Sequence, residues 1–422
     1  MSILEQLVEG IQLPRMVKVR QSFERRIIEN ISLEVSEQLK ACEIQGRIKK
    51  GARVAITAGS RGISNLPLIL KEIANELKVM GAHPFIVPAM GSHGGATAEG
   101  QIKVLRNLGI TEESIGVPIK STMETVQIGT TESGLAVYFD RYAAEADATI
   151  VVGRIKPHTS FRGPYESGLA KMIVIGLGKQ KGAEICHATG LSAMSKRIED
   201  IARLALKESN IVFGVGIIEN AYDETSNIVA IPREKIMDEE PPLLVIAKNN
   251  LAKILIDKCD VLIVDEIGKD ISGTGMDANI IRRFSSDTIV CEPLAQKIII
   301  FDLTDATHGN ANGMGLADIT TRRMYEKIDF YETYPNPLTS RIVLSVKIPM
   351  VMDTDSQAIR AAMKTCFDVS YDNIRIIRIK NTLKLDEMYI SENLLDEVNK
   401  NPRIEVLEQP KDIIFDEKGN LF

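Results

Sequence analysis

The chain has 422 residues, of which 44% are hydrophobic and 26% charged, and its formal net charge at pH 7 is −6. This length favours two domains, and the composition is typical of a soluble globular protein. The acidic balance argues against a nucleic-acid-binding surface, and no apolar run reaches the roughly 18 residues that a membrane span needs. Five scattered cysteines and an amino terminus without a secretory leader favour a reducing compartment. We therefore expect a cytoplasmic protein without nucleic-acid or membrane partners.

The first half of the sequence alternates short apolar runs with helical patterns. The β-branched run 148–152 predicts a buried strand, and apolar side chains recur at helical spacing from Leu66 onward. In chain order the predicted elements are a strand at 15–23, a helix at 32–48, strands at 53–57 and 84–88, a helix at 97–108, a hairpin at 126–138, a helix at 192–207, and strands at 211–218 and 228–231. This order predicts a parallel, doubly wound α/β sheet.

The acidic, proline-containing stretch 232–242 is the best candidate for a linker. We therefore expect domains at 1–240 and 241–422. A second α/β unit begins at 261–264 and carries a glycine-rich loop at 270–277. The predicted fold is thus two α/β domains with mainly parallel sheets, with the active site in the cleft between them.

Three of the five histidines lie in polar segments that follow predicted strands. His158 comes directly after the strand 148–152, and His187 lies further along the same segment. His93 lies in the glycine-rich loop 91–95, after the strand 84–88. Ligands of α/β folds collect at the carboxyl ends of strands, so these histidines are candidates for a functional site.

Cationic side chains accompany the histidines. Lys171 lies among apolar neighbours, where burial would lower its pKa and make it a nucleophile, although a surface lysine is the commoner outcome. Candidates for holding a carboxylate or a phosphate are Arg61, Arg154, Lys156 and Arg162. The structural alternatives are a turn residue for His93 and a hydrogen-bonded core residue for His187.

The segment 150–190 resembles the signature region of the nickel-dependent lactate racemase family. In that family a Pro-His motif, a lysine and a further histidine follow one another, and here Pro157-His158, Lys171 and His187 match them. The spacing from Lys171 to His187 matches the family, whereas that from His158 to Lys171 is a few residues longer. The family's earlier histidine and its arginine match His93 and Arg61. The resemblance covers most of the first 250 residues and is weaker beyond them.

The resemblance implies the chemistry of that family. His187 would bind nickel held in a nickel-pincer nucleotide, a pyridinium mononucleotide with two sulfur arms, and Lys171 would lie beside this cofactor or be bonded to it. His93 and His158 would be the acid/base pair at the substrate hydroxyl, because imidazole titrates near working pH. Arg61 would bind the substrate carboxylate. The reaction would invert C2 of a 2-hydroxy acid by hydride transfer to the cofactor and back.

Further expectations follow from the same resemblance. Lys156 and Arg154 would bind the cofactor phosphate, and the proteins that make the cofactor would be partners for loading. The substrate pocket departs from the lactate enzymes, since the loop around Arg61 differs and a family Gln and Lys are not plainly present in the second domain. Asp277, Asn279 and Arg282 are the candidates to replace them. This departure argues against assuming lactate, and more polar donors would suit a longer, hydroxylated acid such as an aldonate. The loop from His308 to Asp318 either closes over the site or is structural.

Two other functions compete with this interpretation. A zinc hydrolase would use His93, His158 and His187 as three ligands, with Glu166 as the candidate base. A binding protein for the cofactor or for a sugar acid would hold its ligand without turnover. The sequence leaves the stereochemistry of the substrate and the oligomeric state open.

Overall fold

The computed structural model describes residues 3–188, 190–286 and 288–422. The chain divides into two compact units, which we call the central unit (Glu24–Leu251) and the terminal unit (Met1–Phe23 with Ala252–Phe422). Within the described residues no helix is both long enough and apolar enough to cross a membrane.

The strands of both units are as follows: β1 (Met16–Gln21), β2 (Arg53–Ala58), β3 (His83–Pro88), β4 (Thr125–Thr130), β5 (Ala136–Asp140), β6 (Ala148–Arg154), β7 (Ile211–Glu219), β8 (Thr225–Pro232), β9 (Cys259–Ile267), β10 (Ala295–Leu303), β11 (Ile319–Thr321), β12 (Met350–Met352), β13 (Ile376–Asn381), β14 (Lys384–Ser391) and β15 (Ile404–Val406).

The α-helices are α1 (Ile3–Val8), α2 (Ile31–Ala41), α3 (Ile44–Arg47), α4 (Leu66–Val79), α5 (Ala98–Asn107), α6 (Glu112–Ile115), α7 (Arg141–Ala144), α8 (Leu169–Lys171), α9 (Lys179–His187), α10 (Met194–Glu208), α11 (Ile236–Asn250), α12 (Ala278–Ile281), α13 (Arg322–Glu326), α14 (Phe330–Thr333), α15 (Pro335–Ser340), α16 (Asp355–Thr365) and α17 (Leu395–Val398). A π-helix, Met172–Gly176, connects α8 to the turn before α9.

The central unit is a five-stranded sheet in the order β3-β2-β6-β7-β8. The first four strands are parallel, and β8 pairs antiparallel with β7. Apolar clusters cover both faces, because neighbouring residues such as Ala55 and Ile56 point to opposite sides of β2. Helices α2, α4 and α5 contribute to one cluster, and α8, α9 and α10 to the other. The predicted doubly wound parallel sheet is confirmed.

The terminal unit contains an eight-stranded sheet in the order β12-β11-β10-β9-β13-β14-β1-β15. Strands β9 to β13 are parallel, whereas β14, β1 and β15 add antiparallel pairs. The predicted first strand is therefore present, but it pairs with β14 and belongs to the terminal unit. This pairing explains why the first 23 residues cluster with the second half of the chain rather than with residues 24–251.

The expected linker at 232–242 is wrong, because most of this stretch is the first half of α11. Pro241 lies inside the helix and cannot donate to the Met237 carbonyl four residues earlier. The Tyr165 hydroxyl donates to that carbonyl oxygen at 2.6 Å and so satisfies it. The helix continues through the expected boundary at 240/241, and the two units meet in sequence at Leu251 and Ala252.

Candidate active site

The candidate site residues of the central unit lie at one edge of its sheet. Because β2, β3 and β6 are parallel, the loops that follow them emerge at the same edge, which we call the central carboxyl edge. These loops carry Arg61, His93 and His158 respectively. Lys171 and His187 follow the third loop, in α8 and at the end of α9.

The loop after β6 is shaped by a buried carboxylate. Its two ends are closed by the pairing of Lys156 with Ser167, whose backbones exchange hydrogen bonds of 2.9 and 3.2 Å. Inside, the fully buried Glu166 accepts a hydrogen bond of 2.8 Å from the backbone N–H of His158 and one of 2.7 Å from the Lys248 ammonium. A buried charge needs such partners, so Glu166 holds the loop in place rather than standing ready as a base.

The His158 ring is held in one orientation. Its Nδ1 accepts a hydrogen bond of 3.0 Å from the backbone N–H of Ser160, so the neutral ring carries its proton on Nε2. The ring also packs against Phe161, with centroids 4.2 Å apart. Burial, and then the positive charge of Lys171, hold the pKa of His158 well below its usual range; weaker contributions come from Lys156, His187 and Arg162. His158 is therefore a neutral Nε2–H donor.

Lys171 stands beside this ring. Its Nζ lies 5.6 Å from the centroid of Phe161, the ring that also contacts His158. Burial, followed by repulsion from Arg61, lowers the pKa of Lys171 to about 8, and the nearby Cys186 acts weakly in the opposite direction. A lysine with this pKa is partly neutral near pH 7 to 8, which is the form that acts as a nucleophile.

The helix that carries Lys171 is capped by a residue from α11. Glu240 is 1% exposed, and its Oε2 accepts a hydrogen bond of 2.8 Å from the backbone N–H of Ala170. Burial raises the pKa of Glu240 to about 7. A Cβ at Gly168 would lie 2.2 Å from Glu240 Oε1, so only glycine fits against this cap. The π-helix then follows Lys171, and such turns occur frequently at functional sites.

Two arginines lie at the ends of β2 and β6. Arg154 forms an ion pair with Glu219 at the end of β7, and the same carboxylate accepts a hydrogen bond of 2.6 Å from the backbone N–H of Ser64. Arg61 is exposed by surface area, yet desolvation by surrounding protein atoms, and then repulsion from Arg154, lower its pKa. Arg154 therefore already has a carboxylate partner, whereas Arg61 faces mainly other cations.

His93 and His187 complete the candidates of the central unit. The His93 side chain is exposed, and its loop contacts the π-helix through Gly91, whose N–H donates to the Gly176 carbonyl at 3.4 Å. His187 is half-buried and is among the groups that lower the pKa of His158. The structure therefore brings His158, Lys171 and His187 together and places His93 on the neighbouring loop.

The candidates of the terminal unit lie at different edges of its sheet. Asp277 is near the carboxyl end of β13, since its N–H donates to Thr382, but its side chain caps α12 by accepting from Asn279 at 2.9 Å. Arg282 donates to the Asp257 carbonyl at 2.6 Å, just before β9 begins. That is the amino end of a parallel strand, away from the edge where α/β sheets bind ligands.

The His308 to Asp318 loop connects the two edges of the terminal sheet. Asp318 is held by Arg283 at 2.5 Å and accepts from the backbone N–H of Ile298 at 2.7 Å. These contacts make Asp318 a structural residue of the sheet.

The supporting residues were the part of the site that the sequence did not reveal. The predicted linker includes Glu240, and the sequence suggests Glu166 only as a base. No motif marks Lys179 or Gln101, although Gln101 donates to the Gly91 and His93 carbonyls and accepts from Lys179. Buried charged residues of this kind have no local pattern, and the only available signal was their position close to the candidate residues.

Within residues 3–188, 190–286 and 288–422, no three His, Cys, Asp or Glu side chains are grouped closely enough to hold a metal ion. The zinc hydrolase interpretation requires three such ligands from the protein. The described geometry therefore does not support it.

The family model of the lactate racemase N-terminal domain matches residues 9–198. This part of the chain is therefore similar to the N-terminal domain of lactate racemase. The matched segment is slightly under half of the chain and includes every candidate residue of the central unit.

Two solved structures are similar to the chain. The lactate racemase apoprotein from Thermoanaerobacterium thermosaccharolyticum aligns with 88% of this chain and 99% of its own length, at 16% identity and a TM-score of 0.53. At this identity the likeness establishes a shared fold. A protein from Thermotoga maritima aligns with 66% of this chain and 72% of its own, at 14% identity and a TM-score of 0.48. No curated protein matches the chain by sequence.

Proposed function

We propose that the protein is a racemase or epimerase that inverts C2 of a 2-hydroxy acid, with a nickel-pincer nucleotide as its cofactor. One observation carries the proposal. The central carboxyl edge gathers a neutral histidine, His158, a lysine of lowered pKa, Lys171, and Arg61, all within the segment that matches the lactate racemase N-terminal domain. The match to the lactate racemase N-terminal domain supports an isomerase, and the residues at this edge suit an acid substrate.

The proposed roles of the protein's own residues follow from their hydrogen bonds and charges. Arg61 binds the substrate carboxylate, since a guanidinium offers two parallel donors and this one has cations as neighbours. His158 donates its Nε2–H to the oxygen on C2, because its Nδ1 is already used by Ser160. His93 takes up the hydroxyl proton, since its exposed side chain lies on the neighbouring loop. This division gives the two histidines of the predicted acid/base pair different roles.

The donor set at this edge fits the cofactor that the family implies. Burial, and then mutual repulsion among cations, lower the pKa values of Arg61 and Lys171 there, as expected where an anionic group such as a nucleotide phosphate binds. His187 would be the protein ligand to nickel, and one histidine suffices if the organic ligand supplies the others. Lys171 would lie against the cofactor or be bonded to it, and Lys156 would contact its phosphate. When bound, the group would supply the hydride chemistry at C2.

Two roles expected from the sequence change in this proposal. Arg154 would contact the phosphate only if it shared its pairing with Glu219, so it mainly orients the end of β6. Arg282 no longer serves as a substrate contact, because it binds the Asp257 carbonyl at the amino end of β9. Asp277 and Asn279 remain candidates for a polar substrate such as an aldonate.

The first experiment measures nickel content and intact mass on protein produced together with the cofactor-making proteins. We expect near-stoichiometric nickel that is lost in His187→Ala, and an added mass that is lost in Lys171→Met if the cofactor is tethered. Zinc in place of nickel would favour the hydrolase. Absence of both metals under these conditions would contradict the cofactor assignment.

The second experiment follows the two enantiomers of candidate 2-hydroxy acids by chiral chromatography, in heavy water. Hydride return predicts that C2 keeps its hydrogen. Replacing His158 by Ala should lower kcat by about 10²- to 10⁴-fold, the usual contribution of a positioned proton donor. His83→Ala is the matched control, since His83 is an exposed histidine at the amino end of β3. A binding protein would retain cofactor and show no interconversion with any variant.

A further inference from the structure

A second lysine of the same segment is buried and is held by two hydrogen bonds and an ion pair. Lys179 opens α9, eight positions after Lys171, and is 0% exposed. Its Nζ lies 3.1 Å from Asp140 Oδ2 and 3.0 Å from Gln101 Oε1, and it also donates to the Pro88 carbonyl. The two hydrogen bonds and the ion pair with Asp140 together compensate the buried ammonium charge. Lys179 also has a φ of +54°, a backbone conformation that costs energy for a residue with a side chain.

Lys179 determines the orientation of the Gln101 side-chain amide. Because a lysine only donates, it must face the carbonyl oxygen of the Gln101 side chain, and the amide nitrogen must point the other way. That nitrogen donates to the Gly91 carbonyl at 2.9 Å and to the His93 carbonyl at 3.3 Å. Gln101 is itself fully buried, so a reversed amide would leave these groups without partners.

This network therefore ties three elements of the central carboxyl edge to each other. Pro88 ends β3, Gln101 lies in α5, and Lys179 begins the helix that ends at His187. The loop between Pro88 and Gln101 has no room to shift towards α5, because a Cβ at Gly100 would lie 1.8 Å from the Gly94 carbonyl oxygen. The backbone of His93 is thus fixed by hydrogen bonds on one side and by close packing on the other.

We propose that Lys179, acting through Gln101, is a positioning residue that sets the backbone of His93 relative to the helix carrying His187. The inference rests on the proposed function for its catalytic consequence, but not for its structural content. Neither Lys179 nor Gln101 contacts substrate in this proposal. They keep His93 at the distance and angle from C2 at which proton transfer is efficient.

The test uses Gln101→Glu in the full-length protein. The carboxylate still accepts from Lys179, but it cannot donate to the Gly91 and His93 carbonyls while ionised. Gln180→Glu is the matched control, because it makes the same chemical change on an exposed side chain one residue after Lys179. Replacing Lys179 itself would leave Asp140 buried without its cation and could prevent folding. Gln101→Met, which removes the whole amide, serves as the second variant.

Two readouts are measured on each variant. The ring signal of His93 in an NMR spectrum is identifiable, because the chain has five histidines and His93→Gln removes one signal. We expect Gln101→Glu and Gln101→Met to shift or broaden this signal. We also expect kcat to fall by about 10- to 100-fold with KM nearly unchanged, as for a small misplacement of a catalytic group. Gln180→Glu should change neither quantity.

The two readouts separate this inference from the proposed function. If the His93 signal and kcat are the same in Gln101→Glu as in the wild type, the positioning role is wrong. A shifted signal with an unchanged kcat also overturns it, because the loop would then move without consequence. If no form of the protein interconverts any 2-hydroxy acid, the proposed function fails, and the His93 signal alone decides the inference.

Discussion

The carboxyl edges of the two sheets contain similar charged residues in different arrangements. In the terminal unit, acids and bases pair with each other: Arg378 with Asp265 at 2.7 Å, Lys327 with Asp302 at 2.9 Å, and Arg323 with both Asp302 and Asp355 at 3.3 and 3.2 Å. At the central carboxyl edge, ion pairs also occur, as between Lys248 and Glu166, but the buried carboxylates bind backbone N–H groups as well. Glu240 accepts from Ala170 and Glu166 from His158.

This difference separates a structural network from a candidate active site. Paired charges compensate each other, so the terminal network needs no ligand. At the central edge, burial and then the proximity of other cations lower the pKa values of Lys171 and Arg61. Such crowding reduces stability in the free protein and is relieved when an anion binds, which is a common property of functional sites.

The largest expected effect on stability is at the terminal network. Arg323→Met leaves the fully buried Asp355 carboxylate without its cation, and breaking a buried pair from one side costs on the order of 3 kcal/mol. Urea unfolding of the variant measures this loss. Arg322→Met is the control, because the pair of Arg322 with Asp353 is half exposed and is expected to contribute less than about 1 kcal/mol. If the two substitutions lowered the free energy of unfolding equally, burial of the ion pair would not determine its contribution to stability.

A smaller loss of stability is expected at Gly168, which lies next to the helix that carries Lys171. Gly168→Ala introduces a Cβ 2.2 Å from Glu240 Oε1, so the cap of α8 must move, at a cost of about 1–3 kcal/mol typical of overpacking. The backbone at Gly168 is extended, with a φ of −179°, so the effect is steric and not conformational. Gly46→Ala places a Cβ in open space within α3 and should instead stabilise by about 0.5 kcal/mol. If Gly168→Ala left the midpoint of thermal unfolding unchanged, the cap that Glu240 forms on α8 would not be essential for stability.

The sequence predicted those parts of the molecule that depend on local pattern. The run 148–152 lies within β6, and the helix expected from Leu66 is α4, because alternation and helical spacing of apolar residues are local properties. The scarcity of histidines similarly pointed to His158 and His187. The residues that define the site thus came from composition and order along the chain.

What the sequence could not predict depends on remote partners. Lys171 and Lys179 lie in the same glycine-rich stretch, and nothing local shows that Lys179 has an acceptor, Gln101, 78 residues away. Three prolines favour a linker at 232–242, because the Tyr165 hydroxyl that donates to the Met237 carbonyl lies 72 residues away and leaves no local signal. The tautomer of His158 likewise depends on the loop conformation that aims the Ser160 N–H at its ring.

The smallest expected effect has the opposite sign and is the most specific to the central edge. Lys171→Met should raise the free energy of unfolding at pH 7, by about 1 kcal/mol after allowance for solvent screening, because it removes a repelled, desolvated charge. The folded pKa of Lys171 is about 8 against 10.5 in the unfolded chain, so the unfolded state binds the proton more tightly. The penalty is therefore complete below pH 8, declines between pH 8 and 10.5, and is absent above that range. The stability difference between variant and wild type should shrink across this window in a pH series of urea unfolding curves.

Lys196→Met, at an exposed lysine paired with Asp200 at 2.9 Å, is the control and should give no gain in the free energy of unfolding. If Lys171→Met destabilised the protein at pH 7, Lys171 would be a compensated structural residue like those of the terminal network.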